Sequence, residues 1–554
     1  MTRRMTAAFG RGTIVEHGWL WPTMIWLCAT VAACVARPLL ASIESPLLAA
    51  TWWSWQGIGD VPYLPTLAAQ PALLPWLIQA GWHVLGTSEI WPRLAAGLFG
   101  LGTLWLMAPL GRLMWPDRPD VSRLASIILA GSGGFLAYAA MALQMPLLLF
   151  AIVAMMIGLL KARARGSIVD WSLVGAAIGM AYFAVGAIAL QFMVPIAVLL
   201  PITDRAGFAS SAMRRWLVGC TGAILLGGAA ALAGHLQAGD SLLNAMRLLF
   251  VPATEASGGD TRPWYWYLAL LPLVLYPWIW WPTLWRAVGR GLDDLSRPEL
   301  RLCGLVAAVA LTAACINGRY SYLLMPMLPP LSLMAAWFLA AHAGKPKDFH
   351  AAIPGLMALF LCLFFFLLNI VPVAHLDAVW REIAGFGLPI WLGGISLAAG
   401  IILLFGSYLL TLLTPRGLRA RVVQLALLPL LLVITTSVEF IVNLRPYFDL
   451  TPMAQRIESV QRSGQPVAVL GAYTGGFDFI GRLQAPLIVL ASSDDALEWA
   501  RGHRDGVVIS FFTGSILYLP AQPLYLGNAE ARRAALWPAS AVTSTGGLVL
   551  KPEF

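Results

Sequence analysis

Thirteen times between residues 18 and 443 the chain runs through a mostly apolar stretch of near membrane-spanning length, about 20 residues. That repetition constrains the fold more than any motif. No water reaches the bilayer core to satisfy backbone N–H and C=O groups, so each run has to close its hydrogen bonds internally as a helix. The predicted spans are 18–41, 90–114, 121–141, 142–160, 169–187, 188–203, 216–235, 264–285, 302–316, 320–341, 351–374, 386–413 and 422–443. Splitting 169–203 into two rests on length alone. Composition agrees: 59% of residues are hydrophobic and 11% charged, against about a quarter charged in an ordinary soluble domain.

The charge distribution tests this count. A net charge of +9 in a soluble protein points to nucleic acid, but here lysine and arginine fall in the short connectors. With a cytoplasmic N-terminus, the inner connectors carry 21 Lys and Arg and the outer ones up to residue 444 carry 6. The positive-inside rule therefore supports an odd number of spans, with the N-terminus cytoplasmic and the C-terminus outside. The first span is too long for a signal-peptide core, which predicts a retained helix. The six cysteines lie in or beside apolar runs, none in a C-x-x-C pattern, and read as small buried hydrophobes.

Two outer segments are more than loops. Segment 42–89 carries Trp52, Trp53, Trp55, Trp76 and Trp82 on apolar runs too short to span, a pattern of helices lying in the membrane interface. Residues 445–554 alternate β-like runs (466–470, 485–490, 506–510) with helix-compatible stretches (451–463, 494–501). That alternation predicts a small α/β domain on the outer surface, expected to cover or shape a site. The chain thus divides into a membrane module, 1–444, and this domain, 445–554.

Charge inside the spans would mark an ion path, and there is almost none, which argues against a transporter. Polar residues gather instead at outer helix ends: Glu44, Asp60, Glu89 with Arg93, Gln144, Arg262, and Arg319 with Tyr320 and Tyr322. A carboxylate there can accept a hydroxyl proton, and a guanidinium can grip a phosphate with two parallel hydrogen bonds. Glu44 also suits a helix cap, since Ser45 and Pro46 follow it. Asp60 follows Gly59 as turn residues do, the i, i+4 spacing of Glu89 and Arg93 fits an ion pair, and His83 reads as a packing residue.

These outer residues resemble the GT-C glycosyltransferases of the protein O-mannosyltransferase and lipid A aminoarabinose transferase type. That family shows an acidic pair after the first helix, a Gly-Asp turn, a Lys-Pro-Pro-Leu-Leu-Tyr-Trp-Leu-like segment, and Gly-x-Ser-Glu before an Arg. The matching stretches are Ile43-Glu44, Gly59-Asp60, Gln70 to Leu77, and Gly86 to Glu89 with Arg93. Gln144-Met145-Pro146-Leu147 is similar to the family's Asp-Met-Pro-Leu, and Arg319 to Pro330 to its Tyr-Leu-Leu-Pro-x-x-Pro-Pro segment. Three family charges are missing, at Ile43, Gln70 and Gln144.

The resemblance implies a polytopic α-helical membrane protein of about 13 helices, GT-C type, with a C-terminal periplasmic α/β domain, in a bacterial inner membrane. It implies a transferase moving a sugar from a polyprenyl-phosphate donor to a lipid or glycan acceptor at the periplasmic face. Glu44 and Asp60 are then the catalytic acids. Arg319, Tyr322 and Arg262 bind the donor phosphate, and Gln144, Trp52, Trp53 and Gln70 line the acceptor or sugar site. Nucleic acid is not an expected partner. A divalent cation needs phosphate oxygens to complete its shell, because one acid is a poor cage. The missing charges leave a second reading open, a catalytically silent homologue that binds polyprenyl lipid or partners an active transferase.

Overall fold

The structure, a computed structural model, describes residues 20–59, 61–64, 72–138, 141–204, 210–237 (side chains from 213 to 233), 265–317, 320–344, 354–356, 359–360, 363, 395–412, 415, 417–512, 521–529 and 532–550. Asp60, Gln70, Arg262 and Arg319 lie outside the described residues, as does most of the expected span 351–374.

Seven helices among the described residues are long and apolar enough to cross a membrane, and three shorter ones are apolar. In chain order the helices that frame the site are α1 (Leu20–Ala36), α2 (Ser45–Trp55), α3 (Leu73–Leu85), α4 (Ile90–Met114), α5 (Pro119–Ala130), α6 (Gly133–Ala137) and α7 (Met145–Arg165). The split expected within 169–203 is present. Helix Ile168–Val185 stops at Gly186, whose φ of +72° suits glycine, and Ile188–Thr203 begins afresh.

Two expected spans are interrupted. The 121–141 run folds as α5 and α6 separated by Gly131 and Ser132, and the 264–285 run as Trp266–Val274 and Pro282–Arg290 around a short 3-10 turn, Trp278–Trp280. The interruptions meet and satisfy each other's freed backbone groups, as an apolar surrounding demands. Gly133 N–H donates to Tyr276 O at 2.8 Å, and the Trp278 indole N–H lies 2.9 Å from Ile128 O and 3.1 Å from Ser132 Oγ.

Connector residues cluster at both ends of α4. At one end Arg118 and Arg297 flank the Trp337 ring, at 5.5 and 4.8 Å from its centroid. Asp294 receives the Trp337 indole N–H at 3.0 Å and pairs with His342. At the other end meet Arg37, Glu44, Arg93 and Ala142.

The C-terminal sheet has the order β2-β1-β3-β5-β4, from β1 (Val467–Leu470), β2 (Ile488–Leu490), β3 (Val507–Phe512), β4 (Tyr525–Ala529) and β5 (Arg532–Pro538). β1 lies parallel to both β2 and β3, and the β4–β5 pair joins antiparallel to β3. Helices Thr451–Arg462 and Ser493–Gly502 pack on it, and Ser492 and Asp495 form a capping box at the start of the second. The three expected strands and both helices are present; β4 and β5 are additional.

Candidate active site

The first loop builds this end of the molecule around one carboxylate. Glu44 directly precedes α2 and is 0% exposed. Arg93, from the first turn of α4, grips it with Nε 3.0 Å from Oε1 and Nη2 3.1 Å from Oε2. Arg37 reaches the same carboxylate at 3.3 Å, and the backbone N–H groups of Leu40 (3.1 Å) and Ala142 (3.0 Å) complete the shell. Two further donors of Arg93 go to Arg37 O and Pro38 O, each at 2.7 Å.

A carboxylate offers about four lone-pair sites, so this one is full. Burial by itself would raise the Glu44 pKa, but the Arg37 and Arg93 guanidiniums together with the Ala142 amide hold it below the ordinary carboxylate value. The side chain makes no cap bond to α2. Two expectations are therefore corrected. Arg93 pairs with Glu44 and not with Glu89, and Glu44, which stands at the N-cap position of α2, turns its side chain away from that helix to the arginines. As a base it would first have to give up one of these five donors.

Through Ala142 the carboxylate also holds the turn ahead of α7, where Gln144 stands as the half-buried residue preceding the helix. Tyr138, at the other end of that turn, shares a hydrogen bond of 2.5 Å with Ser321, and next to Ser321 the Tyr320 and Tyr322 rings stack with centroids 5.3 Å apart. The structure thus links three of the expected stretches: Glu44, the Gln144 turn and Tyr322. Among the described residues no three of His, Cys, Asp and Glu gather as a metal cage.

Trp52 and Trp53 do not line open space, contrary to expectation. The Trp53 indole N–H donates to Asp478 Oδ2 at 2.7 Å and that of Trp52 to Leu483 O at 3.1 Å, both in the C-terminal domain. Around them Trp82 stacks on Phe479 at 5.0 Å, and Arg482 lies over Phe479 at 3.8 Å and reaches Thr87 O at 3.0 Å. His83 packs on Trp55, ring centroids 4.4 Å apart, as its sequence context suggested. The residue that sequence reasoning missed is Asp478, fully buried beneath this aromatic layer. Its signal was a lone acid between two phenylalanines, Phe477-Asp478-Phe479, after Gly475-Gly476.

No family model matches the chain. One curated protein, the undecaprenyl phosphate-alpha-4-amino-4-deoxy-L-arabinose arabinosyl transferase of Pseudomonas paraeruginosa, is 25% identical over 305 residues, 52% of this chain and 53% of that protein. The chain therefore spans about half the length of that relative. Among solved structures it is similar to ArnT from Cupriavidus metallidurans. Bound to undecaprenyl phosphate, ArnT gives a TM-score of 0.66 at 16% identity, covering 95% of this chain and 99% of that one. In the apo state the values are 0.67, 15%, 94% and 98%. The chain has the GT-C fold of ArnT, C-terminal domain included.

Proposed function

We propose that the chain is a membrane glycosyltransferase that moves a sugar from a polyprenyl-phosphate carrier onto a lipid or glycan acceptor at the periplasmic face of a bacterial inner membrane. The observation that carries this reading is the fold shared with ArnT over nearly the whole of both chains, together with an outer end whose acid, turn and tyrosine pair are held in register. An acceptor hydroxyl attacks C1 of the sugar, the bond from C1 to the phosphate oxygen breaks, and the polyprenyl phosphate leaves. A carboxylate takes the hydroxyl proton. A single displacement inverts C1.

Of the two candidate catalytic acids, Asp60 takes the part of base, because Glu44 is committed to Arg37 and Arg93 and acts by positioning the Gln144 turn. Arg319, Arg262 and Tyr322 hold the phosphate, where guanidinium offsets the leaving charge. Gln144 and Gln70 face the sugar or acceptor. The second reading, a homologue that binds the carrier without transferring from it, draws support from the engagement of Glu44.

The test is transfer of radiolabelled sugar from a panel of polyprenyl-phosphate donors to a total lipid extract, using full-length protein in membranes. Asp60→Asn is expected to lose transfer at least about 100-fold, the scale of general-base catalysis. If no donor gives transfer while the carrier lipid still binds, the second reading replaces the first.

A further inference from the structure

Asp478 is a buried carboxylate that pairs with no cation among the described residues. Its Oδ2 accepts the Trp53 indole N–H at 2.7 Å and the Tyr63 hydroxyl at 2.9 Å, and its Oδ1 accepts the Tyr473 hydroxyl at 2.6 Å. These neutral donors are its side-chain partners. Tyr473 is fixed in turn by the Phe477 N–H at 2.9 Å, and Tyr63 by the Leu487 N–H at 3.3 Å. The carboxylate is aimed by its own tight loop, in which Leu483 N–H donates to Asp478 O at 3.0 Å.

Trp53 lies at the end of α2, and Tyr63 follows the turn after it. In sequence the acid Asp60 stands between them. One oxygen atom of the C-terminal domain therefore fastens both ends of this loop at once. Two further contacts fix the same juncture. Gly475, at φ +84°, comes so close to α2 that a Cβ built on it would lie 2.3 Å from Ala49 Cβ, and the Tyr63 and Tyr473 rings meet edge to face at 5.0 Å.

We propose that Asp478 is a positioning residue that closes the 53–63 loop, making the C-terminal domain a fixed wall of the outer face and not a lid. Burying an acid beneath two phenylalanines costs free energy that an amide or an apolar side chain would avoid. The geometry explains what the acid supplies: three acceptances on two oxygens, two of them on the same atom. Its kinetic consequence rests on the glycosyltransferase reading; its structural content does not.

The experiment compares wild type, Tyr63→Phe and Asp478→Asn as full-length proteins in membranes, by hydrogen exchange of segments 54–59 and 61–64 and by transfer kinetics. Tyr63→Phe keeps the ring against Tyr473 and removes only the donor. Both variants are expected to exchange about tenfold faster in those segments, the worth of one such hydrogen bond. Helix Ser493–Gly502 should stay protected, showing that the domain remains folded. In transfer, kcat should fall about tenfold with KM within twofold. Unchanged exchange in both variants overturns the inference, and so does faster exchange with kcat and KM unchanged. If even wild type transfers nothing while the loops exchange faster, Asp478 keeps its place and the transferase reading falls.

Discussion

Glu44→Gln separates chemistry from architecture at the first-loop acid. In the folded protein each carboxylate oxygen faces donors from two directions: Oε1 faces Arg93 Nε and the Ala142 N–H, and Oε2 faces Arg93 Nη2 and the Leu40 N–H. Whichever way a glutamine amide is placed, its NH2 group points at two donors, and two guanidiniums lose their counter-charge. Removing one member of a buried ion pair costs about 3–5 kcal/mol. Equilibrium unfolding in mixed micelles of rising dodecyl sulfate should show that loss for Glu44→Gln, and a similar one for Arg93→Gln. The double variant should lose less than the two together, with a coupling energy of about 2 kcal/mol. The reasoning is refuted if Glu44→Gln unfolds within about 0.5 kcal/mol of wild type, the range of an ordinary surface change, yet has lost transfer. That result would make Glu44 a reacting group.

The pH dependence of stability should carry two opposite contributions. Burial raises the Asp478 pKa against the pull of its three donors, so above about pH 4, the value in the unfolded chain, the folded state keeps a proton that the unfolded state has lost. Stability then falls as pH rises through that window, and Asp478→Asn should flatten the slope in melting curves from pH 4 to 7. Glu44, held low, contributes stability above about pH 4 that is lost only on further acidification, so Glu44→Gln should weaken the loss of melting temperature there. Gly475→Ala places a methyl group against Ala49 at a positive φ, and about 1–3 kcal/mol of overpacking should appear as faster protease cleavage between the domain and the first loop. Trp278→Phe removes the donor shared by Ile128 O and Ser132 Oγ at the paired helix interruptions; a loss of about 1–3 kcal/mol should be measurable in the same micelle assay.

What could be read from the sequence was what depends on composition over a window. Apolar length located most spans, Gly186 ended a helix where length alone had divided 169–203, and β-branched runs marked β1 to β3. The interruption after Ala130 had its signal in Gly131-Ser132-Gly133-Gly134, but a hydropathy window averages across a change of backbone direction. β4 and β5 escaped because Gly527, Asn528 and the alanines of Arg532–Pro538 have low strand propensity; their place is fixed by pairing with β3. At the site, the resemblance put Glu44, Gln144 and Tyr322 in one place, and the structure links the stretches that carry them. The partner of Arg93 lies 49 residues away, and the nearby Glu89 was the wrong choice because i, i+4 spacing measures proximity on a helix and says nothing of a competing buried acid. Trp53 and Asp478 stand 425 residues apart, beyond any local rule.

That separation sets an order of events during synthesis. Trp52 and Trp53 emerge with the first hairpin of the membrane module, but the carboxylate and carbonyl that receive their indole N–H groups are translated only after another 425 residues, about 20–85 s later at ordinary elongation rates. Until then the aromatic face of α2 has only its own loop for cover, and this juncture is assembled last, when the C-terminal domain reaches back to the first loop. A chain released before Phe477 lacks the acceptors of both indole N–H groups, so its first loop has nothing in the C-terminal domain to close on.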